Sequence, residues 1–173
     1  AAALAVLLAA LAAAPAPALA VSDAAILAER PPKLLSEFDF FADLPAQTPA
    51  QGVLPFAPRT ALFSDGALKH RFVYVPAGGA AAYDADEAFD FPVGSALVKS
   101  FSFPADFRRP HEEARLIETR VMLKQEAGWQ AWAYLWNDER TDAELKIAGA
   151  RVGIEAVDAR GEPLSFTYSV PNR

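Results

Sequence analysis

A chain of 173 residues with a net charge of −6 and no cysteine can bury one core of ordinary domain size. Its acidity disfavours nucleic acid, whose phosphates need a basic surface, and gives no reason for docking on anionic lipid. The missing thiols exclude disulfides, thiolate zinc sites, a cysteine nucleophile and a lipid-modified cysteine within these residues.

Residues 1–14 are only alanine, leucine and valine, followed by Pro15-Ala16-Pro17 and Ala18-Leu19-Ala20. A short apolar run that closes on Ala-x-Ala matches the hydrophobic region and cleavage site of a secretory signal. Residues 1–20 are therefore expected to be a signal peptide lacking its basic start, and the rest of the chain to be periplasmic. The prolines and the alanine-rich composition argue against a stable membrane span, so no membrane contact is expected after cleavage. Ser22 to Lys33 predicts a short amphipathic helix, with Ile26 and Leu27 opposite Glu29 and Arg30 and a stop at Pro31-Pro32. Residues 34–60 place Pro45, Pro49, Pro55 and Pro58 among Phe38, Phe40, Phe41 and Phe56. So many prolines exclude a helix or a central strand. Residues 21–60 thus read as a short helix and a Pro-rich extended arm that pins its aromatics onto a core.

A β-domain is expected over residues 61–173. Its first strand candidate is Ala61 to Phe63, ended by Ser64-Asp65-Gly66; Leu68 to Val75 follows, turned by Pro76 to Gly79. Leu97 to Phe103 alternates well, with Leu97, Lys99, Phe101 and Phe103 opposite Val98, Ser100 and Ser102, and Pro104 to Glu113 is a polar loop. The densest strand signal lies at 116–147. There Ile117, Thr119, Val121 and Leu123 share one face, and Glu118, Arg120, Met122 and Lys124 the other. Gln125 to Gly128 is a turn, since glycine supplies the positive φ of a tight reversal. The return strand alternates Trp132, Tyr134 and Trp136 with Trp129, Ala131, Ala133 and Leu135. Arg151 to Val157 and Leu164 to Val170 form a last hairpin around Asp158-Ala159-Arg160-Gly161. Seven or eight short strands at this spacing predict an antiparallel β-sandwich or an open barrel.

The chemistry-bearing residues are sparse. His70 sits in a strand between Lys69 and Arg71, and His111 in a loop beside Glu112 and Glu113. A His with two carboxylates can ligate a divalent metal, but adjacent acids in a loop are usually just solvated, and no metal ligand is assigned. No G-x-S-x-G turn or phosphate-cradling glycine loop is present, and no catalytic residue is assigned. Glu118 and Arg120, on one strand face, are candidates for an ion pair. Trp132, Tyr134, Trp136, Asn137, Asp138 and Asp142 are the ligand-binding candidates, because aromatic faces beside acids can stack on sugar rings. The competing reading, which is favoured, is that this stripe is covered core.

The blocks LFSDGALKHRFVYVP (62–76), FDFPVGSALVKSFSFP (89–104), LIETRVM (116–122), GWQAWAYLWNDERTDAELK (128–146) and TYSVPNR (167–173), in this order and spacing, resemble a bacterial family of exported diheme c-type cytochromes. The likeness covers residues 35–173. In that family V-P-N is followed closely by a C-x-x-C-H haem-attachment motif. This chain stops at Arg173, just after Val170-Pro171-Asn172, and has no cysteine, so no haem-attaching residue is carried over. The resemblance implies a β-domain ahead of a c-type haem region in the full-length protein. It implies a non-catalytic role: packing against, orienting or gating its own haem domain, or docking a periplasmic dehydrogenase. The alternative is an exported carbohydrate- or ligand-binding β-sandwich module.

Overall fold

In the computed structural model, which describes residues 20–60 and 62–172, an antiparallel sheet runs through the molecule in chain order. All but the last residue of the expected signal segment lie outside the described residues, as do Ala61 and Arg173. The strands are β1 (Phe41–Asp43), β2 (Thr48–Pro49), β3 (Val53–Pro55), β4 (Leu68–Tyr74), β5 (Ala96–Phe103), β6 (Arg115–Gln125), β7 (Gly128–Trp136), β8 (Ala143–Leu145), β9 (Ala150–Val157) and β10 (Pro163–Val170). Strands β3 to β8 form a six-stranded meander, while β1–β2 and β9–β10 are separate antiparallel pairs. The mainly-β, sandwich-like class expected from the alternation is what forms, and the described strands close no barrel.

The central hairpin follows the sequence closely. Strand β6 turns into β7 through Glu126-Ala127, and Gly128 takes a φ of 112° where the return strand begins. Both faces of the meander are apolar, so each needs a cover. One face carries Phe72, Val98, Val121, Leu123, Tyr134 and Trp136, and the N-terminal arm lies on it with Ile26, Leu35, Phe38, Phe40 and Phe41. Phe38 stacks on Phe40 at 5.0 Å and meets Tyr134 edge-on at 5.8 Å. The other face carries Phe101, Phe103 and Ile117, covered by Ile154, Tyr168 and Val170 of the β9–β10 hairpin. The layers are thus arm, sheet and hairpin.

Several local expectations are corrected. Ile117 does not share a face with Thr119, Val121 and Leu123. Phe101 pairs with Glu118 but Ser102 with Leu116, so Ile117 is the extra residue of a β-bulge and joins Glu118 on the hairpin side. The N-terminal helix α1 is only Asp23–Leu27. Ser22 caps its start, and Gln125 Nε2 donates to the carbonyls of Ile26 at 3.1 Å and Ala28 at 2.9 Å, drawing off the acceptors a longer helix would use. Ile26 is buried but Leu27 faces out, because the turn ends before a second apolar row can form. The arm is not wholly extended: Leu35–Phe38 is a 3-10 turn, and β1 to β3 are strands of two or three residues. Pro49 and Pro55 end β2 and β3, Pro45 sits in the turn between β1 and β2, Pro58 lies outside any strand, and Phe56, unlike the other three arm phenylalanines, is exposed. Of the strand expected over Ala61 to Phe63, the described residues Leu62 and Phe63 lie in no strand. These side chains are 66% and 86% exposed and pair with no strand, because the left-handed Asp65 and Gly66 swing the chain directly into β4.

Candidate functional site

The six residues proposed from sequence as a ligand-binding set are held by structural work. Tyr134 is buried and donates through its hydroxyl to Pro32 O at 2.9 Å. Trp136 is buried and donates through Nε1 to Thr119 Oγ1 at 3.0 Å, inside a polar cluster with Ser100 and Gln47. Trp132 is half-buried, packed beside that same core. Asn137 builds the loop, its Oδ1 accepting from Thr141 N at 2.9 Å. Asp142 accepts from Ala143 N at 2.7 Å and from Ser36 N of the arm at 3.2 Å. Asp138 is exposed and pairs with Arg115 at 3.0 Å. Tyr134 and Asp142 therefore fasten the arm to the sheet, Trp136, Asn137 and Asp138 bond within the sheet and its loop, and Trp132 is the one of the six that also borders the groove described below.

The two histidines come near each other without forming a ligand set. Both side chains are exposed; partial desolvation and the charge of His111 hold the His70 pKa below the ordinary imidazole value. Among the described residues no three His, Cys, Asp or Glu side chains are grouped to hold a metal. Asp65 is spent on the left-handed turn before β4.

A different surface carries unspent chemistry. The hairpin covers only part of its face of the sheet, and beyond Tyr168 the chain runs out along Val170, Pro171 and Asn172. There the register sets Arg71 of β4 directly opposite Lys99 of β5, and Lys99 directly opposite Arg120 of β6. Lys69, two residues before Arg71, lies on the same face. The next row outward is apolar: Val73 opposite Leu97, Leu97 opposite Met122, Met122 opposite Ala131. Arg71, Lys99 and Arg120 of the one row and Leu97, Met122 and Ala131 of the other line a groove of about 540 Å³, together with Phe56, Pro171 and Asn172.

The electrostatics of the groove are lopsided. Glu118, fully buried on the hairpin side, ion-pairs with Arg120 and accepts from the Tyr168 hydroxyl at 2.7 Å. Among the described residues it is the one carboxylate within ion-pair distance of the cation row Arg71, Lys99 and Arg120. Neither Arg71 nor Lys99 has a carboxylate within ion-pair distance among the described residues. Lys99 Nζ and the Arg120 guanidinium both rest on the Phe101 ring, 4.6 and 4.5 Å from its centroid. Desolvation lowers the Lys99 pKa, and Arg71, Arg120 and Lys69 push it further the same way against the opposing pull of Glu118. A positive groove on a protein of net charge −6 is a place where anionic groups concentrate.

The resemblance to a cytochrome family carries no haem-attaching residue onto these positions. There is no cysteine to attach the vinyl groups, and both histidines are exposed rather than aimed into an apolar pocket. No protein-family model matches the chain, and no curated protein or solved structure is significantly similar to it. The groove was missed in the sequence although half of its signal was there. Lys69 and Arg71 alternate on one strand face, and Lys99 and Arg120 each alternate on theirs, but only the register brings the four together.

Proposed function

We propose that this chain is a non-catalytic β-domain of an exported c-type cytochrome-like protein, which docks and orients a haem-bearing portion of the same gene product in the periplasm. The observation that carries this reading is the uncovered half of the hairpin face, cationic and apolar, lying beside Pro171 and Asn172. In the family that the ordered sequence blocks resemble, the haem-attachment motif follows V-P-N closely, so a haem portion would start next to this surface. Its c-type haem would be attached by its own cysteines and histidine, and electrons would pass between it and a periplasmic dehydrogenase without chemistry on the β-domain. An apolar surface rimmed by charge suits such docking, since the apolar part supplies contact energy and the charge sets orientation.

The test uses the complete gene product, expressed in a host that matures c-type cytochromes. A haem Soret band, haem mass retained after denaturation, and slower amide exchange at Leu97 and Met122 than in this chain alone are expected. Absence of covalent haem would sink the cytochrome reading. Haem with unchanged exchange at the groove would sink the docking role.

A further inference from the structure

We infer that the groove is a binding site for an organic anion with an apolar body, its carboxylate held by Arg71, Lys99 and Arg120. The inference rests on the reading of this face as the working surface, and extends it to the chemistry of the occupant. Cations placed directly opposite one another across antiparallel strands destabilise a sheet, and here three stand in one continuous row. Glu118 relieves one end only, because it is buried on the hairpin side and engaged with Arg120 and Tyr168. An anion in the groove would turn the repulsion into attraction. A carboxylate suits the set: a guanidinium presents two parallel N–H groups to its two oxygens, and an ammonium between two guanidinia adds a point charge.

The apolar row decides what else the ligand carries. Leu97, Met122 and Ala131 lie one pleat further out, and Met122 is 39% exposed although methionine is usually buried. A groove of about 540 Å³ falls within the range of small-molecule sites. Inorganic phosphate or sulfate would satisfy the cations and leave these side chains in water. A long polyanion would meet the remaining acidic surface of a chain of net charge −6. A mono- or dicarboxylate with a hydrocarbon or ring body uses both rows. The carboxylate edge of a tetrapyrrole from the haem-bearing portion and a free fatty acid share this chemistry.

The sequence contains its own reporter, since Met122 is its only methionine. The chain labelled at the methionine methyl would be titrated with sodium decanoate and, separately, with inorganic phosphate. We expect a saturable shift of the Met122 resonance with decanoate, weakened by added salt, and binding of phosphate at least about tenfold weaker. Lys99→Gln and Arg71→Gln should each weaken decanoate about tenfold, the loss of one charge-assisted contact. Lys99→Gln should at the same time hold or raise the melting temperature, because it removes a repulsion; a merely structural lysine would lower it. An unmoved Met122 resonance, or a decanoate affinity in both variants unchanged from that of the parent chain, would overturn the proposal. Phosphate binding as tightly as decanoate would overturn its apolar half. Decanoate bound to the complete gene product in an occupied groove, with no covalent haem present, would leave this inference standing while removing the cytochrome reading. Decanoate that binds this chain but is excluded from a haem-loaded gene product would assign the site to the tetrapyrrole carboxylates rather than to a free acid.

Discussion

Two buried polar residues on adjacent positions of β6 show how much of this fold hangs on single hydrogen bonds. Glu118 and Thr119 point to opposite faces, and each is fully buried. Glu118 is tolerable only because Tyr168 donates to it at 2.7 Å and Arg120 supplies the counter-charge, since a buried carboxylate without partners costs several kcal/mol. Tyr168→Phe should therefore destabilise the protein by about 1–3 kcal/mol, because it removes one of the two partners of a buried carboxylate while changing the packing little. Thr119 does the corresponding work on the arm side, accepting the Trp136 indole N–H at 3.0 Å and sharing a hydrogen bond with Ser100 at 2.7 Å. Thr119→Val keeps the shape and leaves the buried indole without an acceptor, a loss again of about 1–3 kcal/mol. Urea midpoints of the two variants and the parent chain check both figures. A change below about 0.5 kcal/mol in either, the size of an ordinary surface substitution, would mean that water reaches the pair.

At the scale of elements, the two covers of the sheet should come loose independently. Gly149, just before β9, has a φ of 72°, and a Cβ there would lie 2.6 Å from Val170 O and 2.9 Å from Asn172 N. Gly149→Ala should cost more than about 1 kcal/mol, since both the backbone angle and the space are wrong for a side chain. Amide exchange should quicken in β9, β10 and the groove edge while the middle of β6 and β7 stays protected. Phe38→Ala should instead cost about 3–5 kcal/mol and expose the arm face, because it opens a cavity under Phe40 and Tyr134. The meander was legible because hairpin-linked strands pair with their sequence neighbours and alternate cleanly at period 2. Burial of Tyr134 and Trp136 was legible for the same reason, their stripe needing a cover. The bulge at Ile117 was not: a period-2 pattern runs through it unbroken, and only the partner strand reveals the extra residue. The cation row was hidden in the same way. Lys99 reads as one polar residue in an apolar strand until Arg71 and Arg120 are set on either side of it by pairing.

For the molecule as a whole, the contacts that hold the layers together share a titratable chemistry. Tyr74 of β4 donates to Asp23 of the arm at 2.7 Å, Tyr134 of β7 to Pro32 O of the arm, and Tyr168 of the hairpin to Glu118 of the sheet. Burial raises all three phenol pKa values, and in each a neighbouring carboxylate adds to the rise: Asp23, Glu37 and Glu118 respectively. Tyr74 is pushed up to about 12 from an ordinary value of 10.0. The neutral phenol is thus favoured by the folded state, and its stabilisation is fully present below the unfolded pKa. As pH climbs past about 10 the unfolded chain loses these protons first. The tyrosine contribution to stability should therefore fall steadily from pH 10 to 12, vanishing for each residue above its folded pKa. The urea midpoint measured between pH 8 and 11.5 should be level at first and then drop. Tyr74→Phe and Tyr134→Phe should each start lower at pH 8 and fall less steeply above pH 10, because a phenylalanine has no proton to lose. Parallel curves for the variants and the parent chain would show that the layers separate for another reason, such as loss of the lysine charges. A shallower curve in Tyr74→Phe alone would place the alkaline weak point at the arm's contact with β4 and leave the hairpin cover, and with it the groove, intact.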